Sequence, residues 1–176
     1  FHTSTPLTID EMRALDEAEQ VNLAESADFA EVSFLMTNAT KPPFDNQTAR
    51  SAIAHALQIE LANEIQSKGI AEIANGPFAP GSIGYLEDTG MPRGDMEKAR
   101  ELVRQYEEET GEPLRFTITA TPEPDTLRSV ELAAQMFEDA GMDVSIATLD
   151  QSSLISEAIG KNFELMAFRN FPSLDP

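Results

Sequence analysis

The chain has 176 residues, enough for one domain with a real hydrophobic core or for one lobe of something larger. Thirty-one acidic residues against twelve basic ones give a formal charge of -19, which repels phosphate backbones and argues against nucleic acid as a partner. No apolar run reaches the length of a bilayer, no basic stretch followed by an apolar one opens the chain, and the absence of cysteine excludes disulfides and thiolate chemistry. Cysteine usage fits cytoplasm and periplasm alike. A first residue Phe1 and a closing Asp175-Pro176 directly after an apolar run lead us to expect a fragment of a longer protein.

In chain order, Thr8 with Glu11 three residues on has the capping-box spacing of a short helix. "VNLAE" (21–25) and "EVSFLMTN" (31–38) read as strands, the second ending at Asn38 before the turn-forming Thr-Lys-Pro-Pro segment. After the prolines, Asp45 or Asn46 can cap a long helix in which Ala49, Ile53, Leu57, Leu61 and Ile65 form the buried stripe, with Gly69 ending it. From Gly69 to Gly94 the chain holds six glycines and three prolines yet carries Ile73, Phe78, Ile83 and Tyr85, which predicts a packed, functional loop that fits against another surface. Asp95 caps the next helix, with Met96, Ala99, Leu102, Val103 and Tyr106 inside and Gly111 closing it.

A repeating order follows. Strand "LRFTITA" leads to helix "DTLRSVELAAQMFEDAG", strand "MDVSIATL", helix "DQSSLISEAIG" and strand "FELMAFRN". Such alternation predicts an α/β fold, a mostly parallel sheet flanked by helices and joined by right-handed crossovers. Leu114, Phe116 and Ile118, and Met142, Val144 and Ile146, alternate with polar residues, so the faces of their strands should be unequally buried. No internal repeat divides the chain, and residues 1–176 read as a single domain.

Catalytic constellations are missing. His2 lies at the start of the chain and His55 stands in mid-helix between two alanines, so neither supplies a base to a nucleophile. Glu60 and Glu64 share a helix side without a histidine or cysteine and read as solvated, as do Glu107 to Glu109. "NGPFAPGSIGY" lacks the Lys-Ser/Thr of a phosphate loop and does not open a helix after a strand. The reading is binding rather than catalysis, with no cofactor and no metal ligand set.

Taken together, "LMTNATKPPFDNQTARSAIAHAL", "KGIAEIANGPFAPGSIGY", "DMEKARELV" and "NFELMAFRNFPSLDP" resemble the family 5 extracellular solute-binding proteins of ABC importers, the group that includes peptide- and nickel-binding proteins. The resemblance runs in order over nearly the whole chain. It implies two lobes around a cleft that hinges shut on a ligand, and it makes this chain the core of the second, C-terminal lobe. It further implies a monomeric substrate-binding component, periplasmic or extracellular and open to a lipid anchor in the parent, which captures a small solute (peptide-like, sugar or chelate) for an ABC permease in the membrane. A sensor or chaperone-like domain of the same fold is the alternative; an α/β enzyme domain would need a base at the strand ends, where no histidine lies.

Ligands of open α/β sheets bind outside the carboxyl ends of the strands. Those ends are Asn38, Thr121, Thr148 with Asp150, and the run Phe168, Arg169, Asn170 and Phe171. The run is the foremost candidate, with Asn38 beside it. In peptide-binding members of the resembled family an aspartate of this run holds the ligand's amino group; counting back from Asp175-Pro176, Pro172 stands there, and a shift of three residues would restore Asp175. Arg169 stands where a tryptophan is common, which suits an anionic or hydroxyl-rich group better than an ammonium. The alternative is that Arg169 pairs internally and backbone groups alone face the cleft. Prolines 42 and 43 fix two φ angles and make a rigid junction, with Phe44 anchoring the turn and Arg50 paired with a carboxylate near the helix start, Asp45 being one candidate.

Overall fold

The computed structural model of the chain describes residues 9–22, 31–69 and 71–170. Among them, helix α1 (Ile9–Glu17) is followed by strand β1 (Val32–Thr37), helices α2 (Gln47–Ala56), α3 (Ile59–Ser67) and α4 (Met96–Thr110), and then β2 (Arg115–Ala120), α5 (Pro124–Asp139), β3 (Asp143–Thr148), α6 (Gln151–Gly160) and β4 (Leu165–Asn170). The Thr8 cap lies outside the described residues. Val21 and Asn22 belong to no strand, and the rest of that predicted strand is also outside the description.

The strands form one sheet in the order β1-β4-β2-β3, with β2 parallel to both β3 and β4 and β1 antiparallel to β4. Alternation of strand and helix from β2 onward thus gives the α/β fold as anticipated. Helices α2, α4 and α5 cover one face: Ala49, Ala52, Ile53 and Ala56 of α2 and Ala99, Leu102, Val103 and Tyr106 of α4 share a core with Phe116, Ile118 and Leu165. Alanines on α2 let the two helices approach closely over that core. On the opposite face α6 contributes Leu154 to a smaller cluster with Phe163 and Met166.

Phe44 anchors the first core. It is fully buried, its ring centroid 5.0 Å from that of Phe116, which in turn lies 5.6 Å from Phe137. The turn that carries it includes a cis Pro42-Pro43 bond, and Asn46 caps α2 by accepting from the Thr48 and Ala49 amides at 2.6 and 3.3 Å. Arg50 departs from expectation: its Nη1 donates to the backbone carbonyls of Phe44 (2.6 Å) and Asp45 (3.0 Å), so it braces the turn through the main chain instead of pairing with the Asp45 carboxylate.

The predicted long helix is two helices. The Asp95 amide donates to the His55 carbonyl at 2.7 Å, occupying the acceptor that the Ile59 amide would need for a continuous helix, and Leu57 is extended at φ -71°, ψ 107°. Gly94 makes this intrusion possible, since at φ +66° a Cβ would stand 3.1 Å from the Gln58 Cα and 3.2 Å from the Leu57 carbonyl. The break turns α3 away from the core, leaving Leu61 and Ile65, both expected inside, 46% and 58% exposed.

Strand β2 buries Phe116 and Ile118 as expected but loses the alternation at its end, where Thr119 is buried too; β3, at the edge, buries Met142 just before it but leaves Ile146 39% exposed. The ladders are unequal. β1–β4 and β2–β3 run over six residue pairs each, whereas β2–β4 has only Ile118↔Leu165 and Thr119↔Met166. The Glu164 carboxylate accepts from the Thr117 amide at 2.7 Å, completing the near end of that short ladder with a side chain.

Candidate ligand-binding site

Beyond Met166, β4 stays paired with β1 as far as Asn170, and β2 stays paired with β3 as far as Thr148. β2 ends at Ala120, one residue past its ladder with β4, so the last residues of β4, 167–170, run beyond β2 with no described strand on the edge turned away from β1. α4 leads directly into β2 and so runs antiparallel to it, which brings the α4 start, the α2–α3 break and the loop of residues 71–94 to this same end. That loop has no helix or strand. It is stitched by Asn75, which donates to the Glu87 carbonyl at 2.8 Å and accepts from Thr89 and Arg93, and by an Arg93–Glu60 ion pair at 3.3 Å. Ile59, Ile73, Met91 and Arg93 are among the residues lining a cavity of about 190 Å³ beneath it. The loop is thus partly packed, but Ile83 points outward at 63% exposure.

Alternation along β4 divides the predicted run. Arg169 shares the helix-covered face with Leu165 and Ala167, while Phe168 lies on the α6 face, its ring 6.2 Å from that of Phe34 and packed against the Leu154 cluster. Asn170 pairs with Val32 across the ladder. Phe171, Pro172 and Asp175 lie outside the described residues.

Arg169 bridges three elements. Its Nη1 stands 3.3 Å from Glu31 Oε1, just ahead of β1, and its Nη2 donates at 3.3 Å to the Thr126 hydroxyl in the first turn of α5. Both charged side chains remain accessible, Arg169 at 48% and Glu31 at 33%. Internal pairing and exposure toward the strand ends therefore coexist. Glu31 was not singled out in the sequence, where nothing local marks it: its partner is 138 residues away.

Other strand-end residues are committed within the chain. Thr121 is buried and its hydroxyl donates to the Glu123 carboxylate. Asp150 caps α6, accepting from the Ser152 and Ser153 amides at 3.0 and 3.1 Å and from both hydroxyls at 2.6 Å, and these hydrogen bonds hold its carboxyl well below the ordinary range. Thr148 is exposed on the edge strand.

Asn38 requires a correction. Because β1 is antiparallel, its carboxyl end lies beside the start of β4, roughly 16 Å along the sheet from Arg169 at about 3.3 Å per residue. Its amide donates to the carbonyls of Lys161 and Phe163, both at 2.9 Å, while its oxygen accepts from the Thr40 amide (3.2 Å) and hydroxyl (2.7 Å). The residue is buried, fully bonded and at the opposite pole from the other candidates.

Comparison with known proteins agrees with this architecture. The chain is 27% identical over 169 residues to the glutathione-binding protein GsiB of Pectobacterium atrosepticum, a match covering 94% of this chain and 32% of that protein. It is 25% identical to GsiB of Escherichia coli K12 over the same shares. Among solved structures, the periplasmic binding protein DppA of Helicobacter pylori in complex with the peptide STSA superposes with a TM-score of 0.78 at 23% identity, covering 98% of this chain and 33% of that one. The chain thus spans about a third of the length of the relatives it matches. Residues 2–176 match the middle region of the bacterial extracellular solute-binding proteins, family 5, and the chain belongs to that family.

Proposed function

We propose that this chain is one wall of the ligand site of an ABC-importer solute receptor, located in the periplasm or on the outer cell surface, and that the solute is short and peptide-like. The observation that carries the proposal is the carboxyl end of the sheet, where β4 runs on past the end of β2 and carries the half-exposed guanidinium of Arg169. An extended ligand meets backbone groups of β4 there, and a carboxylate suits the fork of Arg169. The glutathione-binding relatives and the peptide-bound structural neighbour support this class of solute.

In this reading residues 1–176 form a single domain, the core of the second lobe, and a facing lobe supplies the other wall. Contacts complete only on closure give the closed form its differential affinity, and the closed form is what a membrane permease recognises. Arg169, Asn170 and Phe171 contact the solute, Phe168 supports the strand from below, and Asn38 has no part in the site. The protein acts as a monomeric receptor and not as a catalyst.

Native mass spectrometry of the complete parent protein, purified without refolding, tests the proposal. One bound peptide-like mass per chain is expected. A sugar or a metal chelate in its place would replace the solute class while leaving a receptor; a protein that retains nothing and takes up nothing from a short-peptide library would sink the receptor reading.

A further inference from the structure

We propose that Glu31 and Arg169 together form a clamp for a zwitterionic α-amino-acid head group, with Glu31 receiving the ammonium and Arg169 the carboxylate; this rests on the solute-receptor reading above. The two side chains are opposite charges 3.3 Å apart at the open end of the sheet, each partly accessible, and they come from the two strand segments that remain joined there. Val32 pairs with Asn170, so Glu31 precedes the last residue pair of the ladder and lies beside the end of β4.

An exposed ion pair of this kind adds little to stability and opens readily. Arg169 has five N–H donors, and its two protein contacts are both at 3.3 Å, so donors remain for a bidentate carboxylate while Thr126 holds the guanidinium from the side of α5. A head group with an ammonium and a carboxylate on one carbon can insert so that the four charges alternate in sign around a square. Each charge then keeps an opposite neighbour when closure removes water.

A solute bearing only a carboxylate behaves differently. It draws Arg169 away from Glu31 and leaves the glutamate desolvated without a counter-ion, a state that costs far more in a closed cleft than in water. A solute bearing only an ammonium leaves Arg169 in the corresponding position. The pair therefore selects for both charges at once, and the selection comes from the penalty on incomplete ligands as much as from attraction to the complete one.

The test uses the complete two-lobed protein and calorimetric titration with reduced glutathione, which carries such a head on its γ-glutamyl end. Two blocked forms, N-acetylated at that end and amidated at its α-carboxylate, serve as comparisons. Reduced glutathione should bind at least roughly tenfold more tightly than either, the equivalent of about 1.4 kcal/mol. Glu31→Gln should abolish the preference over the N-acetyl form while keeping that over the amide, and Arg169→Gln should do the reverse. Glu31→Asp should recover part of the first preference.

Equal affinity for free and N-acetylated heads in the unmutated protein would overturn the clamp. So would a Glu31→Gln variant that weakens all three probes alike, which is the mark of a structural role. Failure of reduced glutathione to bind overturns the clamp as well; a peptide-like occupant found by native mass spectrometry would in that case leave the receptor reading standing.

Discussion

The two ends of the sheet are built on opposite principles. At the end where β4 begins, polar groups are tied down and apolar ones are enclosed: Asn38 makes four hydrogen bonds, Arg50 braces two carbonyls and Phe44 is fully buried. Asn46 caps α2 while its amide, with the Thr48 hydroxyl and Gln105, holds Glu109 at the end of α4. At the other end the β2–β4 ladder has stopped, α3 and the loop of residues 71–94 present Leu61, Ile65, Ile83 and Met91 to solvent, and Arg169 is only loosely held. At the second end Thr121 and Asp150 are committed within the chain, while Arg169 and these apolar side chains stay exposed. The division follows from chain direction, because antiparallel β1 delivers its exit, with Asn38 and the double proline, to the end that the parallel strands leave behind.

Substitutions at the two ends should differ in kind. The largest effect is expected for Phe44→Ala, which empties a fully buried ring site between Phe116 and α2 and should cost about 3–5 kcal/mol in denaturant unfolding. A loss below about 1 kcal/mol would show that the closed end does not anchor the core. Asn38→Ala comes next. It strips partners from the Lys161 and Phe163 carbonyls and should cost about 1–3 kcal/mol while leaving solute affinity in the complete protein unchanged. An affinity loss without a stability loss would move Asn38 back to the ligand site.

A smaller effect concerns acid. Hydrogen bonds from Gln105, Asn46 and Thr48 lower the pKa of Glu109 from its ordinary value of 4.5. A carboxyl whose folded-state pKa is depressed stabilises the protein fully above its unfolded value and loses that contribution as pH falls through the folded value. Glu109→Gln should therefore flatten the stability profile below about pH 4.5 and change its slope little above that. An unaltered acid limb would remove Glu109 from the closed end's network. The smallest effect belongs to the open end: Ile65→Ser, at 58% exposure, should shift unfolding by no more than about 0.5 kcal/mol. A larger loss would mean that α3 packs more firmly than its exposure indicates.

Legibility in the sequence followed the range of the interactions. Asn46, Asp95 and Gly111 act on amides or carbonyls within a turn of themselves, and residue type and spacing made Asp95 and Gly111 readable as caps and narrowed the first cap to Asp45 or Asn46. Alternation of strands and helices fixed the parallel part of the sheet for the same reason. The break after Ala56 was not readable, since its cause is an amide 40 residues further on, Asp95 bonding back to His55. Asn38 was grouped with Arg169 because both follow strand-like runs, and a run of apolar residues does not disclose its direction relative to its neighbours. Arg169 stood out by its place at the end of a strand-like run, where the resembled family commonly has a tryptophan, whereas Glu31 was one acid among thirty-one. The Arg50 contacts were missed for a different reason: proximity to Asp45 suggested the carboxylate, but the guanidinium bonds the fixed carbonyls of the turn.

The short β2–β4 ladder has a consequence for how the lobe deforms. Two ribbons, β1–β4 and β2–β3, each carry six residue pairs and are joined across the middle of the sheet by only two, with the Glu164 side chain as a third tie. Slow amide exchange should accordingly map as two protected stripes, the β2 edge exchanging faster toward Arg115 and the β4 edge faster toward Asn170 than near the two shared pairs. The sheet behaves as a pair of staggered planks fastened where the end of one overlaps the start of the other, able to change their mutual twist without breaking a long run of hydrogen bonds.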